Sequence, residues 1–130
     1  MRKLIFITAL FLTSCGLAEK KKVVGDYYLV AADTGEQMSL TYHTSEDGSG
    51  YGTIVEACVF AAGCNDKYII LKRHPYNFHI NKNVTLYYIV PVENYYRPNN
   101  TSLNEFQFNK KRKELGIEDI QFTIVYKDLE

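Results

Sequence analysis

The sequence has little net charge, no long hydrophobic run and few metal-binding side chains, and each shortage excludes a class of protein. Its 15 basic and 15 acidic residues make it formally neutral, whereas a nucleic-acid-binding domain usually has a strongly basic face. No apolar run approaches the roughly 20 residues that a helix needs to cross a bilayer. The chain has three cysteines and three histidines, and their spacing does not predict the three or four converging ligands of a zinc site. We therefore expect no metal, no cofactor and no nucleic-acid partner.

The most informative motif that is present lies at the N-terminus. Arg2 and Lys3 precede an apolar run over residues 4–12, and Leu12-Thr13-Ser14-Cys15 follows. A basic head, an apolar stretch and small residues before a cleavage point are typical of a secretory signal peptide. A cysteine at the first mature position resembles the bacterial lipobox, which predicts a fatty acid such as palmitate on Cys15. A cleaved signal without lipid and a buried helix or strand are the alternatives.

The motif also sets the domain organisation and the location. Residues 1–14 are predicted to be a lipoprotein signal peptide, 15–24 a lipidated flexible tether, and 25–130 a single β-rich domain. Removal of Arg2 and Lys3 with the signal leaves a mature net charge of about −2. We expect a lipid-anchored protein of the cell envelope. Gly16 rather than Asp follows the cysteine, so the outer membrane is expected if the host is diderm.

If Cys15 carries lipid, Cys58 and Cys64 are the only candidates for a disulfide in an oxidising compartment. Two hairpin registers are open. A turn at residues 60–63 would bring the two cysteines together near its mouth. A turn at Asn65-Asp66, the stronger turn signal, would place both on one strand about 20 Å apart, beyond the Cα separation of about 7 Å that a disulfide permits. The second register is favoured.

Alternating apolar residues and turn signals predict an antiparallel meander of about six strands with one helix before the last strand. This is an α+β fold. A capping box at Ser102 and Glu105 opens the helix, with Leu103 and Phe106 facing inward, and Gly116 ends it. The strands are predicted at residues 26–32, 37–43, 53–62, 67–73, 84–92 and 120–126.

One group of exposed aromatic residues is a candidate for binding. The chain has 11 tyrosines, and most are expected simply to reflect the preference of tyrosine for half-buried strands. Tyr95, Tyr96 and Arg97 differ because they fall in a predicted loop. Tyrosine supplies a large contact area at low entropic cost, so these three residues form a candidate binding loop.

The chain resembles a family of small bacterial lipoproteins of unknown function. The resemblance rests on strand patterns at residues 25–29, 63–70 and 87–91 and on the closing helix and strand. It implies a shared fold and an envelope location, and it supplies no active-site residues. Cys58 and Cys64 depart from the pattern, which has apolar or aromatic residues at those positions.

No catalytic constellation is recognised, so we expect a protein that is not an enzyme. The predicted function is a membrane-anchored module that binds an unknown envelope protein or glycan. The alternative is a periplasmic inhibitor or immunity protein that blocks an enzyme with a protruding loop. A glycine-rich loop over residues 45–52 and the loop over residues 94–100, which contains Tyr95, Tyr96 and Arg97, favour that alternative.

Overall fold

The computed structural model of the protein describes residues 19–32, 34–43, 50–98 and 100–130. In this part of the chain the secondary structure is mostly antiparallel β-sheet with one α-helix, which confirms the predicted α+β class. The strands form two sheets of four rather than one meander of six, and a small hairpin lies apart from both. The number is larger because short or polar segments without an alternating pattern also form strands.

The first sheet contains four consecutive strands in the order β1-β2-β3-β4. They span Glu19–Val24, Tyr27–Ala31, Ser39–His43 and Tyr51–Val55. Gly25 makes the turn between β1 and β2 at a φ of 55°, a left-handed conformation that glycine adopts without steric cost. A 3-10 turn, Gly35–Gln37, lies between β2 and β3.

The second sheet has the order β10-β5-β6-β9 and carries the helix. Its strands are β5 (Val59–Cys64), β6 (Tyr68–Arg73), β9 (Leu86–Pro91) and β10 (Ile124–Val125). The small hairpin of β7 (Tyr76–Asn77) and β8 (His79–Ile80) lies between β6 and β9. Helix α1 (Glu105–Leu115) follows β9, so the chain crosses from one edge of the sheet to the other before it ends.

One hydrophobic cluster joins the inner faces of the two sheets, and a second joins the outer face of the second sheet to α1. Leu29 and Leu40 from the first sheet belong to the same buried cluster as Ile69 and Leu71 from β6. Ile70 points the other way and is buried with a second group of residues, Phe108, Ile117 and Ile120. β6 is therefore buried on both faces.

The predicted tether over residues 15–24 is wrong from Glu19 onward, because this stretch is β1. Lys20, Lys21 and Lys22 pair with Val30, Leu29 and Tyr28 of β2. The polar composition of this stretch does not predict a strand, because β1 lies at the edge of the sheet and its first four residues are exposed. Lysine on an edge strand discourages pairing with other chains, so a lysine-rich segment is compatible with a strand at this position.

Two other predicted segments change at their boundaries. The predicted strand over residues 53–62 is divided between β4 and β5 by Glu56, Ala57 and Cys58, where the chain passes from the first sheet to the second. Residues 74–83, for which no strand is predicted, contain the hairpin of β7 and β8.

The helix exists where predicted, but its start and its buried face differ. Asn104 is the N-cap: its side chain accepts from the backbone N–H of Gln107, and the Gln107 side chain accepts from the N–H of Asn104. Leu103 instead forms an isolated β-bridge with Tyr87. Phe108 is the buried aromatic residue, whereas Phe106 is 77% exposed.

The end of α1 is as predicted, and the strand that follows is shorter than expected. Gly116 ends the helix at a φ of 67°, the left-handed conformation that favours glycine at this position. The alternation over residues 120–126 gives a strand only at Ile124–Val125, because Ile120 packs against the helix cluster instead of the sheet core. Within the described residues, no helix is long and apolar enough to cross a membrane.

Candidate functional site

The cysteine pair is not a disulfide. Cys58 and Cys64 are both free, and they lie just before and at the end of β5. The hairpin turn falls at Asn65, whose side chain accepts from the backbone N–H groups of Lys67 and Tyr68 at 2.8 Å. The candidate disulfide is therefore corrected: the register that was favoured places both cysteines along one strand. Cys15 lies outside the described residues.

Neither thiol has the surroundings of a reactive cysteine. Burial raises the pKa of Cys58 and that of Cys64, so both thiols are neutral near pH 7. The Cys64 thiol donates to the backbone oxygen of Val23 at 3.6 Å. Because the thiolate is the nucleophilic form, the pair offers no covalent chemistry.

The histidines are dispersed, and one of them serves packing. His74 is buried, its ring stacks on Phe60 with the centroids 4.2 Å apart, and its Nδ1 lies 2.8 Å from the backbone oxygen of Val84. Since that oxygen can only accept, Nδ1 carries the proton. No group of three or more histidine, cysteine, aspartate or glutamate side chains comes together as a metal site in the described part of the chain.

The loop that contains Tyr95 and Tyr96, called here the tyrosine loop and described at residues 93–98 and 100–101, follows β9 and is held at its start by Tyr27 of β2. The Tyr27 hydroxyl donates to the backbone oxygen of Pro91 at 3.3 Å and accepts from the backbone N–H of Glu93 at 3.1 Å. Burial is the largest cause that raises the pKa of Tyr27, so the hydroxyl remains protonated and keeps both roles. The loop therefore leaves β9 in a fixed direction.

Tyr96 fixes the middle of the loop against the first sheet. Its hydroxyl donates to the backbone oxygen of Thr53 at 3.1 Å, and its ring lies 6.5 Å from that of Tyr42. The ring also covers Gly52 so closely that a Cβ atom there would overlap it. Although it is 42% exposed, Tyr96 therefore supports the loop.

Tyr95 and Arg97 are the two predicted binding residues that the loop displays. Tyr95 is 52% exposed. Arg97 is also largely exposed, and its guanidinium lies 3.9 Å from the carboxylate of Glu93. An exposed pair of this kind contributes only about 0–1 kcal/mol, so Arg97 can exchange Glu93 for another anion at small cost.

Among the described residues, the tyrosine loop borders a smaller and a larger cleft, and Asn100 lines both. The smaller, of about 260 Å³, lies beside Arg73 and Tyr88. There the Arg73 guanidinium donates from Nε to the backbone oxygen of Ala57 and from Nη1 to the Tyr88 hydroxyl, each at 2.9 Å. This cleft has a rigid polar wall.

The larger cleft, of about 490 Å³, lies between the loop and α1. Arg97 and Lys111 contribute cationic groups. Its apolar side consists of Tyr68, Ile89, Leu103 and Leu115. A cleft lined by cationic groups and an apolar wall fits an acidic group attached to an apolar or sugar body.

Sequence reasoning found the displayed residues of the loop but missed those that position it. Tyr27 and Gly52 gave no signal, because their contacts with the loop join parts of the chain far apart in sequence. Lys111 belongs to a basic run over residues 110–113 that resembles an ordinary solvated helix face. The sequence signal that indicates this site is the pair of tyrosines in a predicted loop.

Comparison with known proteins gives a family and no activity. The family model described as "Protein of unknown function (DUF3997)" matches residues 24–129, which is most of the chain. No curated protein and no solved structure shows significant similarity. The match confirms the expected relationship to a domain of unknown function.

Proposed function

We propose that this chain, which belongs to the DUF3997 family, is a lipid-anchored, non-enzymatic binding module of the bacterial cell envelope. Cys15 carries the lipid, and the tyrosine loop with its two clefts binds an envelope protein or glycan. The observation that carries the proposal is the loop: Tyr27 and Tyr96 hold it, while Tyr95 and Arg97 are left exposed. A preorganised loop with displayed aromatic and cationic side chains is suited to recognition, because little entropy is lost on binding.

The lipobox supports the anchor, and so does the position of Cys15 shortly before the first described strand of the fold. The first described strand begins at Glu19, four residues after Cys15. Cys15→Ala should abolish labelling by a fatty-acid probe and leave the signal peptide uncleaved. Unchanged labelling of the C15A chain would contradict the anchor.

The chemistry of the larger cleft narrows the class of partner. Arg97 and Lys111 are cationic, and the apolar wall beside them offers contact area. The partner we propose therefore carries a carboxylate or phosphate next to an apolar surface or a sugar ring. Acidic glycans and acidic protein segments both have this chemistry.

The pKa values of the cysteines and the contacts of His74 support a non-enzymatic role. Cys58 and Cys64 have raised pKa values. His74 is occupied by Val84 and Phe60. A nucleophile needs an adjacent base or a lowered pKa, and these three residues provide neither.

Photo-crosslinking in the full chain tests the binding site. A photoreactive phenylalanine analogue at Tyr95 should form one discrete adduct in intact cells. The same analogue at Lys113, which is exposed on α1 and faces away from Lys111 and Leu115, should not. Arg97→Glu should reduce the adduct at position 95 severalfold, because it reverses the charge that faces the ligand.

The nature of the adduct decides between partner classes. Sensitivity to protease identifies a protein, and sensitivity to glycan-cleaving enzymes identifies a glycan. An adduct with one enzyme whose activity is blocked in the complex would instead support the inhibitor alternative. Equal crosslinking from positions 95 and 113 would overturn the proposed site.

A further inference from the structure

The hairpin of β7 and β8 exposes two aromatic side chains that the proposed binding site does not use. Phe78 at its tip is 86% exposed and Tyr76 is 58% exposed. Phe78 also adopts a φ of 62°, a conformation that is unfavourable for a bulky residue. Neither packing nor backbone conformation therefore explains why a phenylalanine occupies the tip.

The hairpin lies at the same end of the molecule as Glu19, the first described residue of β1. Tyr76 lines a cavity of about 450 Å³ together with Glu36 and Gln37 of the 3-10 turn. Gly35 of the same turn lines a cavity with Glu19.

The C-terminal segment provides a second connection between the hairpin and Glu19. Asp128 lines the cavity that contains Glu19. The Lys82 ammonium, two residues after β8, donates to the backbone oxygen of Asp128 at 3.0 Å. The 3-10 turn and the C-terminal segment thus both lie between the exposed hairpin and the start of β1.

This end of the molecule lies close to the predicted lipid. Glu19 is four positions after Cys15, with three residues between them, and four steps of extended chain span at most about 14 Å. The tyrosine loop is at the other end of β1, since Val24 pairs with Tyr27, which holds the start of the loop. If Cys15 is anchored in a bilayer, the hairpin is near the membrane surface and the tyrosine loop is distal.

We propose that the hairpin of β7 and β8 inserts Phe78 and Tyr76 into the headgroup interface of the membrane that holds the Cys15 lipid. This inference rests on the lipid anchor of the proposed function. Aromatic side chains favour that layer, where an apolar ring is buried and a hydroxyl stays hydrated.

Apolar insertion rather than charge attraction drives this contact. The charged side chains at this end have both signs. They include Glu19, Glu36, Asp128 and Glu130 on the acidic side, and Lys20, Lys82 and Lys127 on the basic side. Anionic headgroups would be attracted by a basic surface, and this end of the molecule has no such excess. The contact should therefore form on zwitterionic lipid and persist at high salt.

Tryptophan fluorescence of the full lipidated chain tests the contact. The chain contains no tryptophan, so one introduced indole reports only its own surroundings. F78W and Y76W are reconstituted in phosphatidylcholine vesicles with brominated acyl chains, which quench an indole on contact. Y95W is the matched control, because Tyr95 has an exposure similar to that of Tyr76 but lies at the distal end.

The expected result is a shift of the F78W and Y76W emission to shorter wavelength and loss of most of its intensity, with the Y95W emission unchanged. Circular dichroism confirms that each variant keeps the β-sheet signal. Lipidated F78W and Y76W that remain as bright as Y95W would overturn the membrane contact and leave the anchor standing. Mass spectrometry separates the two proposals: a chain without acyl groups on Cys15 would overturn the anchor, and the membrane contact with it.

Discussion

At the scale of single residues, the Tyr27 hydroxyl connects the two sheets to the candidate binding site. It bonds to Pro91 and Glu93, which lie 64 and 66 residues away in the sequence. The ring is buried and packs edge-on against Tyr42 at 5.1 Å. Removal of the hydroxyl alone therefore separates the role of the hydrogen bonds from that of the ring.

We expect Tyr27→Phe to lower the free energy of unfolding by about 1–3 kcal/mol, because a buried N–H and a carbonyl lose their partner. It should also weaken crosslinking from position 95, since the start of the loop is released. Urea denaturation measures the first effect. Tyr95→Phe is the matched control, because its hydroxyl is on the exposed loop, and it should leave the urea midpoint unchanged.

Two exposed phenylalanines should respond in opposite ways to replacement by glycine. Phe78→Gly relieves an unfavourable left-handed conformation, a gain of about 1–2 kcal/mol, which exceeds the entropy cost of about 0.4–1 kcal/mol in the unfolded chain. Phe106→Gly places glycine in a helix and should cost up to about 1 kcal/mol. Thermal unfolding of the two variants checks the signs. A less stable F78G chain would contradict the strain at the hairpin tip.

At the scale of secondary structure elements, the sequence predicted best the elements whose stability is local. The turn at Asn65-Asp66 and the helix end at Gly116 follow from single residues. β1 escaped prediction because its lysines face solvent and its stability comes from pairing with β2. The helix start also escaped, because Ser102 and Asn104 offer competing caps and only the bridge between Leu103 and Tyr87 decides between them.

Two glycines in neighbouring elements should tolerate a methyl group differently. A Cβ at Gly63 of β5 would overlap the backbone oxygen of Gln121, and backbone cannot move aside. A Cβ at Gly52 of β4 would meet the Tyr96 ring, which can swing out. Gly63→Ala should therefore cost about 1–3 kcal/mol in urea denaturation.

The Gly52→Ala chain is the comparison for this experiment. It should lose less stability than G63A and instead release the tyrosine loop, which limited proteolysis would detect. An equal loss of stability in both variants would contradict the assigned packing.

At the scale of the whole molecule, both termini of the described chain meet at one end and set its response to pH. Burial and the nearby Glu19 carboxylate raise the pKa of Tyr126 to about 12. An unfolded tyrosine loses its proton near pH 10, so stability is complete below pH 10 and falls as the pH rises towards 12. Tyr126→Phe should reduce this alkaline loss, as measured by urea denaturation between pH 9 and 12.

Glu19→Gln should have the same effect to a smaller extent, because it removes the charge but leaves the burial. Burial also raises the pKa of Tyr27, Tyr42 and Tyr87, so part of the alkaline loss should persist in both variants. An identical pH profile for wild type and Y126F would show that Tyr126 is not buried beside Glu19.

The sequence predicts the α+β class but not the division of the strands into two sheets. The stretch from β4 to β5 has continuous strand propensity, and the change of sheet at residues 56–58 depends on which partners each half finds. The function is still harder to predict, because the candidate site combines a loop, a helix and parts of both sheets. Residues such as Tyr95 and Arg97 are recognisable alone, whereas their clefts exist only after folding.

The position of β1 has a mechanical consequence. A lipid on Cys15 would pull on the N-terminal end of β1, while a partner at the tyrosine loop would pull the rest of the fold the opposite way, along the axis of this strand. The hydrogen bonds between β1 and β2 lie across that axis, so they would all bear the load together instead of opening one after another. The pairing of β1 with β2 would then resist a force that pulls the membrane anchor and the bound partner apart.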